Sequence, residues 1–410
     1  MKKISILFFI SLGHVVIVTN GFMRMSVDPT PTGQYRFSAP ATSEDKLRYR
    51  GCWGAVRDYP SATTTTTSLS SSVDTSSSVM STKKRVTPGK ARTLGLITFD
   101  LDDSLYPIDQ VLRDANNAFV RIMSDLGCSM VGPEDIDAAG REIRANAGPL
   151  AGAPMTHTDV RLLAIRSEME KCATICGRTE VVKDADVERV YSAWERERHH
   201  SAERHLYPDV ISTLLQIKEA HPDVIIGAVT DGKANPLQMV FTLAPYFDFC
   251  TSWEDDASGR AGFFKELSDA NGHADLQWIY RTAYEKYMRV AETRGLSAPP
   301  PPISNDDDDD DAGDRPVWIH IGDDLAYDVG GSASCGAHTI LLDLDEEYNQ
   351  TSKMRFLLGN DAIMPSWSTA SDEEIAKRRA MNDASEMMVD KRVTRLSVLA
   401  DAIDEILKGE

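Results

Sequence analysis

The stretch Leu94-Gly-Leu-Ile-Thr-Phe-Asp100-Leu-Asp102-Asp103-Ser104-Leu-Tyr-Pro107 decides how this 410-residue chain is read. Its apolar run predicts a buried strand that ends at Phe99, with Asp100 and Asp102 on the loop just past it. In an open α/β sheet, ligands bind outside the carboxyl ends of the strands. Two carboxylates delivered there can divide two tasks: one attacks as a nucleophile while the other gives and takes a proton. They also make an oxygen-rich site for a hard cation such as Mg²⁺. Taken alone, Asp-x-Asp fits a solvated turn or a helix cap equally well. The rest of the chain therefore has to decide.

Three further pieces follow in order. Val224-Ile-Ile-Gly-Ala-Val-Thr230-Asp231-Gly232 predicts a second strand that delivers a hydroxyl into a glycine-containing turn. Such a hydroxyl, with free backbone N–H groups beside it, can hold phosphate oxygens. Gly262-Phe-Phe-Lys265 offers an ammonium able to neutralise charge on a transferring phosphoryl group, with Lys286 and Lys233 as the reserve candidates. Val317-Trp-Ile-His-Ile-Gly322-Asp323-Asp324-Leu-Ala-Tyr-Asp328-Val-Gly-Gly331 predicts another buried strand, ending in Gly-Asp-Asp with a further aspartate behind it. Gly322 allows tight backbone geometry there, and Asp323 can reach a cation held by Asp100.

Between the first two pieces the sequence is helical. Ile108, Val111, Leu112, Ala115, Phe119, Ile122, Met123 and Leu126 recur at helical spacing, and further helices are predicted over Glu134–Ala145, Asp159–Cys172 and Ala185–His200. A helix over Val210–Ala220 and strands over Val224–Val229, Trp318–Ile321 and Thr339–Leu342 complete the alternation. This order predicts an α/β fold: a Rossmann-like parallel-sheet core over 93–107 and 208–350, with a helical cap inserted over 108–207. Pro299 to Pro302 and the aspartates Asp306 to Asp311 mark a solvated acidic insertion over 298–314. Residues 351–410 form a C-terminal extension, polar and irregular from Asn360 to Met388. A terminal amphipathic helix bearing Leu396, Leu399, Ile403 and Ile406 closes it.

The net charge of −19 argues against a nucleic-acid binder built on phosphate contacts. Six scattered cysteines make no disulfide framework. Cys172 and Cys176 share a helix face without two further zinc ligands at suitable spacing, and so read as buried reduced thiols. Residues 1–22 read as a secretory signal: Lys2 and Lys3 precede an apolar run from Ile4 to Val18, too short for a comfortable membrane span. Residues 22–92 carry eleven Lys/Arg against five Asp/Glu and a Thr/Ser tract over 62–78. That composition cannot bury a core, and it predicts a disordered, transit-like leader over 23–92. Signal followed by transit segment resembles the bipartite leader of algae with complex plastids. This implies a plastid address and no membrane segment in the mature chain; a secreted or endomembrane-lumen location is the alternative.

Together the four pieces resemble the haloacid dehalogenase (HAD) superfamily over about residues 94–345. The resemblance is carried by Asp100-x-Asp102-x-Ser104, Thr230, Lys265 and Gly322-Asp323-Asp324-x-x-x-Asp328, and the helical insert looks like that superfamily's first cap class. It implies a Mg²⁺-dependent phosphatase acting on a small-molecule phosphomonoester. Asp100 would be the nucleophile, Asp102 the general acid and base, and Lys265 a charge-neutralising group. Ser104, Thr230, Asp231 and Gly232 would bind the phosphate. Mg²⁺ would sit on Asp100, the carbonyl of Asp102 and Asp323, supported by Asp324 and Asp328. An aspartate at 102 is typical of phosphotransfer rather than dehalogenation. Two departures are visible: Asp231 stands where Asn is common, and Glu266 where Pro often follows the lysine.

Sequence around Leu96–Tyr106, Thr158–Arg161, Arg166–Glu168, Trp194, Arg196 and Gly322–Gly331 is similar to bacterial phosphatases of flavin mononucleotide and 5-amino-6-(5-phospho-D-ribitylamino)uracil. In that similarity Trp194 or Tyr106 would stack on a planar ring, and Arg161 or Arg166 would contact its polar edges. The same superfamily also implies alternatives: a sugar-phosphate or nucleotide phosphatase, a phosphomutase, or a non-catalytic phosphate-binding protein.

Overall fold

A computed structural model of the chain describes residues 7–11, 14–18, 92–146, 155–255, 274–296, 316–352 and 372–409. The chain divides into two units, Met1–Thr82 and Lys83–Glu410. In the first, β1 (Leu7–Ser11) and β2 (His14–Val18) pair antiparallel with Ser11 opposite His14. The transit-like segment, Lys265 and the acidic insertion lie outside the described residues.

In the second unit, β3 (Leu94–Phe99) leads into four helices: α1 (Ile108–Asp125), α2 (Pro133–Asn146), α3 (His157–Ile175) and α4 (Asp184–Arg204). Then come α5 (Val210–Ala220), β4 (Ile225–Thr230), β5 (Phe249–Ser252), α6 (Ala274–Arg294), β6 (Val317–Gly322) and β7 (His338–Leu342). The chain ends with α7 (Asp372–Ser385), β8 (Lys391–Val393) and α8 (Leu399–Lys408).

The six later strands form one parallel sheet in the order β5-β4-β3-β6-β7-β8. The chain starts at β3, works outward to β5, then crosses back to β6 on the other side. The strand order therefore reverses between β3 and β6, and such a switch point opens a crevice at the carboxyl ends. Register pairs Phe99 with Ile321, and the Asp100 N–H donates to the Ile321 carbonyl at 2.9 Å. The carboxylates after β3 and β6 thus emerge side by side.

β4 and β6 are buried along their whole length, which is why they read as continuous apolar runs rather than alternating ones. On one face Leu214, Ile217, Leu399 and Ile403 join Ile97, Phe99, Ile226 and Ile319 in a core. On the other, Trp278, Ile279, Tyr284 and Tyr287 of α6 join Leu96, Ile225 and Trp318. The inserted helices have a core of their own, which includes Phe119, Met123, Ile165, Val190 and Trp194. A capping box starts α3, with Thr156 accepting from the Asp159 N–H and Asp159 bonding back to the Thr156 N–H.

Three expectations change. The stretch 360–388 is not irregular throughout, since α7 occupies its second half and packs Met381 against Ala326. β5 and β8 are strands that the hydropathy did not mark: Phe-Cys-Thr-Ser and Lys-Arg-Val are short, and both lie at sheet edges. Cys172 is buried, but Cys176, at the end of α3, is exposed. Among the described residues no helix is long and apolar enough to cross a membrane.

Candidate active site

The crevice between β3 and β6 gathers Asp100, Asp323 and Asp328, which offer carboxylate oxygens within 4.8 Å of one another. The Ser104 hydroxyl bridges two of them, lying 3.0 Å from Asp100 Oδ2 and 3.2 Å from Asp323 Oδ1. Burial, then the charges of Asp328, Asp323 and Asp102, raise the pKa of Asp100 well above the ordinary carboxylate value. Burial, then Asp103 and Asp328, do the same for Asp323. Three crowded carboxylates repel one another, and a divalent cation among them removes that repulsion. The donor set is all hard oxygen, which suits Mg²⁺. The residues present therefore fit the ion that the sequence implies.

The loops that hold these groups are tightly tied. Asp103 is fully buried and sits in the left-handed region with φ 60°, which Asp tolerates better than most residues. Its Oδ1 accepts from the Ile108 N–H at 3.0 Å, and its Oδ2 accepts from the Thr351 N–H at 2.9 Å and hydroxyl at 2.6 Å. These bonds pin the loop after β3 at both ends. After β6, a wide turn of π type over Leu325–Gly331 brings Asp328 back toward Asp100. Asp328 Oδ2 accepts from the Asp324 N–H at 2.8 Å, and its Oδ1 lies 3.4 Å from His320 Nε2.

Asp324 is oriented differently. It caps the π turn by accepting from the Tyr327 N–H at 2.8 Å, and it pairs with Arg378 of α7 at 2.7 Å. Of the two aspartates expected to support the metal, Asp328 stands with Asp100 and Asp323, whereas Asp324 pairs with α7 of the C-terminal extension. Ser104, expected at the phosphate, is fully buried, and its hydroxyl bonds Asp100 and Asp323.

Asp102 carries the second carboxylate. Arg198, on the inserted helix α4, donates from Nη2 to its Oδ2 at 2.5 Å. Burial raises the Asp102 pKa, the Arg198 guanidinium opposes that, and Asp231 adds to it. The Thr230–Asp231–Gly232 turn lies alongside: the Thr230 hydroxyl accepts from the Gly232 N–H at 3.3 Å, and a Cβ built on Gly232 would come within 3.4 Å of Arg198 Nη2. Asp231 itself is exposed. His199 joins α4 to the next loop. Its Nε2 accepts from the Asn235 N–H at 3.2 Å, so its Nδ1–H donates to the Glu195 carbonyl at 2.9 Å.

Lys286 is committed elsewhere, to the Cys250 carbonyl at 2.7 Å and to Asp255 at 2.8 Å. The proposed ring-stacking residues are covered. Trp194 has the Arg161 guanidinium 4.0 Å from its ring centroid and Tyr191 stacked at 5.9 Å, and Tyr106 is fully buried. Arg166 pairs with Asp184. Arg198 is the site residue that the sequence did not single out. A signal existed: Val187, Val190, Tyr191, Trp194, Arg198 and Ser201 form the buried stripe of α4, and an arginine on an apolar stripe needs a partner.

No protein-family model matches the chain, and no curated protein matches it. Solved structures do. One is a 2-haloacid dehalogenase of Pseudomonas syringae, 13% identical, covering 77% of this chain and 100% of that one, with a TM-score of 0.42. A HAD phosphatase of Thermococcus onnurineus is 13% identical, covering 76% and 98%, with a TM-score of 0.33. An L-2-haloacid dehalogenase of Xanthobacter autotrophicus is 14% identical, covering 76% and 98%, with a TM-score of 0.35. By their names these matched structures are two haloacid dehalogenases and a HAD phosphatase.

Proposed function

We propose that this chain is a HAD-type hydrolase that cleaves small-molecule phosphomonoesters with Mg²⁺ through an aspartyl-phosphate. One observation carries this reading: Asp100, Asp323 and Asp328 meet at the β3–β6 crevice, with Asp102 beside them against α4. Those three carboxylates and the Asp102 carbonyl would hold Mg²⁺, whose positive charge would offset the phosphate dianion.

The chain's own groups divide the remaining work. An Asp100 oxygen bonds to phosphorus as the ester P–O bond breaks. Asp102 gives its proton to the leaving oxygen, and the alcohol departs. Water then attacks the phosphorus, Asp102 takes a proton from it, and the Asp100–phosphorus bond breaks, releasing phosphate and restoring both side chains. Asp102 is suited to both steps, because burial favours its acid form while Arg198 favours its carboxylate. The Thr230 hydroxyl, its oxygen accepting from the Gly232 N–H, and Lys265 would supply a donor and positive charge to the phosphoryl oxygens.

A departing halide takes no proton, so Asp102 would be idle in a dehalogenase; its presence favours the phosphoester. The motif resemblance to flavin mononucleotide phosphatases is the reason to include flavin mononucleotide and the ribitylaminouracil phosphate in the substrate panel. Stacking on Trp194 or Tyr106 is not part of the proposal, since neither ring has a free face. The test is phosphate release by the full chain from a panel of phosphomonoesters, with Mg²⁺, with EDTA, and with Asp100→Asn. Release that needs Mg²⁺ and falls at least about 10⁴-fold in the variant supports the reading. Release that survives Asp100→Asn overturns it.

A further inference from the structure

Arg198 makes too few bonds for a charge so deeply placed. Its side chain is only 5% exposed, yet Nη2 alone finds a partner, at Asp102. Nε and Nη1 are buried with no hydrogen-bond acceptor among the described residues. A buried guanidinium with two unused donors carries a large desolvation cost, and an acceptor brought by a ligand removes it. The position of those donors is informative. Nη2 and Nη1 lie 3.4 and 3.5 Å from where a Gly232 side chain would begin, so the guanidinium spans the gap between the Asp102 carboxylate and the Thr230–Gly232 turn.

A second, half-buried cation lies against the same tryptophan. Arg161 lies over the Trp194 ring at 4.0 Å, and the Arg198 guanidinium is 5.9 Å from the same ring. Arg161 is loosely held, with Asp137 at 4.0 Å and Asn116 Oδ1 at 3.4 Å. Of the two guanidiniums against Trp194, it is Arg198 that faces Asp102. On the phosphatase reading, the leaving oxygen must lie next to Asp102. Whatever hangs from that oxygen then lies against Arg198.

We propose that Arg198 is the residue that reads the leaving group: its unused donors take an anionic oxygen, from a carboxylate or a second phosphate, carried within a few bonds of the scissile ester oxygen. This inference rests on the phosphatase reading and narrows its substrate class. Guanidinium bonds to carboxylate or phosphate are among the strongest in proteins. A neutral leaving group would leave the two donors unmade.

The test compares 3-phosphonooxypropanoate and propane-1,3-diyl bisphosphate with propyl phosphate, using the full chain and Mg²⁺. The wild type should favour at least one of the two anionic esters by about 10- to 100-fold in kcat/KM. Arg198→Met, which keeps the stem, should bring that ratio close to one whatever loss all three esters share. Arg198→Lys should restore part of it. A wild type without preference overturns the inference even if the methionine variant fails to fold. So does a folded Arg198→Met that slows all three esters equally, since the guanidinium would then serve only Asp102 or the transferred phosphoryl group. If the wild type releases phosphate from none of the three, nor from p-nitrophenyl phosphate, the phosphatase reading itself falls and the inference with it.

Discussion

Asp328 fills the space that a side chain at residue 322 would need: a Cβ built on Gly322 falls 2.2 Å from the Asp328 carboxyl carbon. The glycine is there to admit the carboxylate. Gly322→Ala should therefore expel Asp328 from the cluster with Asp100 and Asp323. The expected result is at least a 10-fold loss of Mg²⁺ affinity, read by calorimetric titration, with a fold destabilised by about 1–3 kcal/mol. Unchanged Mg²⁺ affinity in a folded variant would remove Asp328 from the metal site.

Much of this arrangement was legible in the sequence, and the remainder fails for identifiable reasons. β3, β4, β6 and β7 are apolar runs because they are sheet interior, and a carboxylate or hydroxyl just past such a run lands at the crevice. β5 and β8 lie at the edges, where three or four partly polar residues carry no hydropathy signal. Asp324 and Asp328 could not be ranked from spacing, because the π turn over Leu325–Gly331 decides which one returns to Asp100. Nor does spacing show that the Ser104 hydroxyl bonds both Asp100 and Asp323, a contact set by the tight loop that Asp103 pins. Arg198 meets Asp102 across 96 positions of chain, a contact that only the packing of α4 onto the core creates.

His199 should make stability depend on pH. Burial, and then the neighbouring Arg198, lower its pKa from 6.5 to about 4. The neutral ring suits its place, since Nε2 accepts from Asn235. A depressed pKa means that the unfolded chain binds the proton more readily. Its contribution is thus present above about pH 6.5 and is lost as the pH falls from there toward 4. Between pH 7 and 5 this amounts to about 2 kcal/mol. Urea unfolding of wild type and His199→Gln at both pH values checks it: the variant should lose about 2 kcal/mol less on acidification. Equal losses would show that the ring titrates alike in both states.

Arg378 ties the C-terminal extension to the loop after β6. Its guanidinium pairs with the buried Asp324 at 2.7 Å and lies 3.5 Å from the Tyr327 ring centroid. Asp324 Oδ1 meanwhile caps the turn that carries Asp328. Removing one partner of a buried pair leaves the other's charge without its counter-ion. Arg378→Met should therefore cost about 3 kcal/mol in chemical unfolding. Mg²⁺ affinity should fall in step, as the Asp324–Asp328 turn loosens. A variant with wild-type stability would mean that α7 is held by its apolar contacts alone.

Lys265 and the reserve candidate Lys286 separate by what each should cost when removed. Lys286 bonds the carbonyl of Cys250, in edge strand β5, and the Asp255 carboxylate just beyond it. Both charged side chains are about one-third exposed, at 30% and 33%, so the ion pair itself is partly screened by solvent. Lys286→Met should lower stability by about 1 kcal/mol and change kcat less than about 3-fold. Lys265 is the lysine that the sequence proposes for offsetting charge that develops on the phosphoryl group. Lys265→Met should act on kcat rather than on stability. It should lower kcat by about 10²- to 10³-fold, as the loss of one preorganised donor does. Thermal unfolding and steady-state phosphate release on both variants decide the matter. If Lys286→Met proves the slow variant and Lys265→Met the active one, the charge-neutralising role passes to Lys286 on α6.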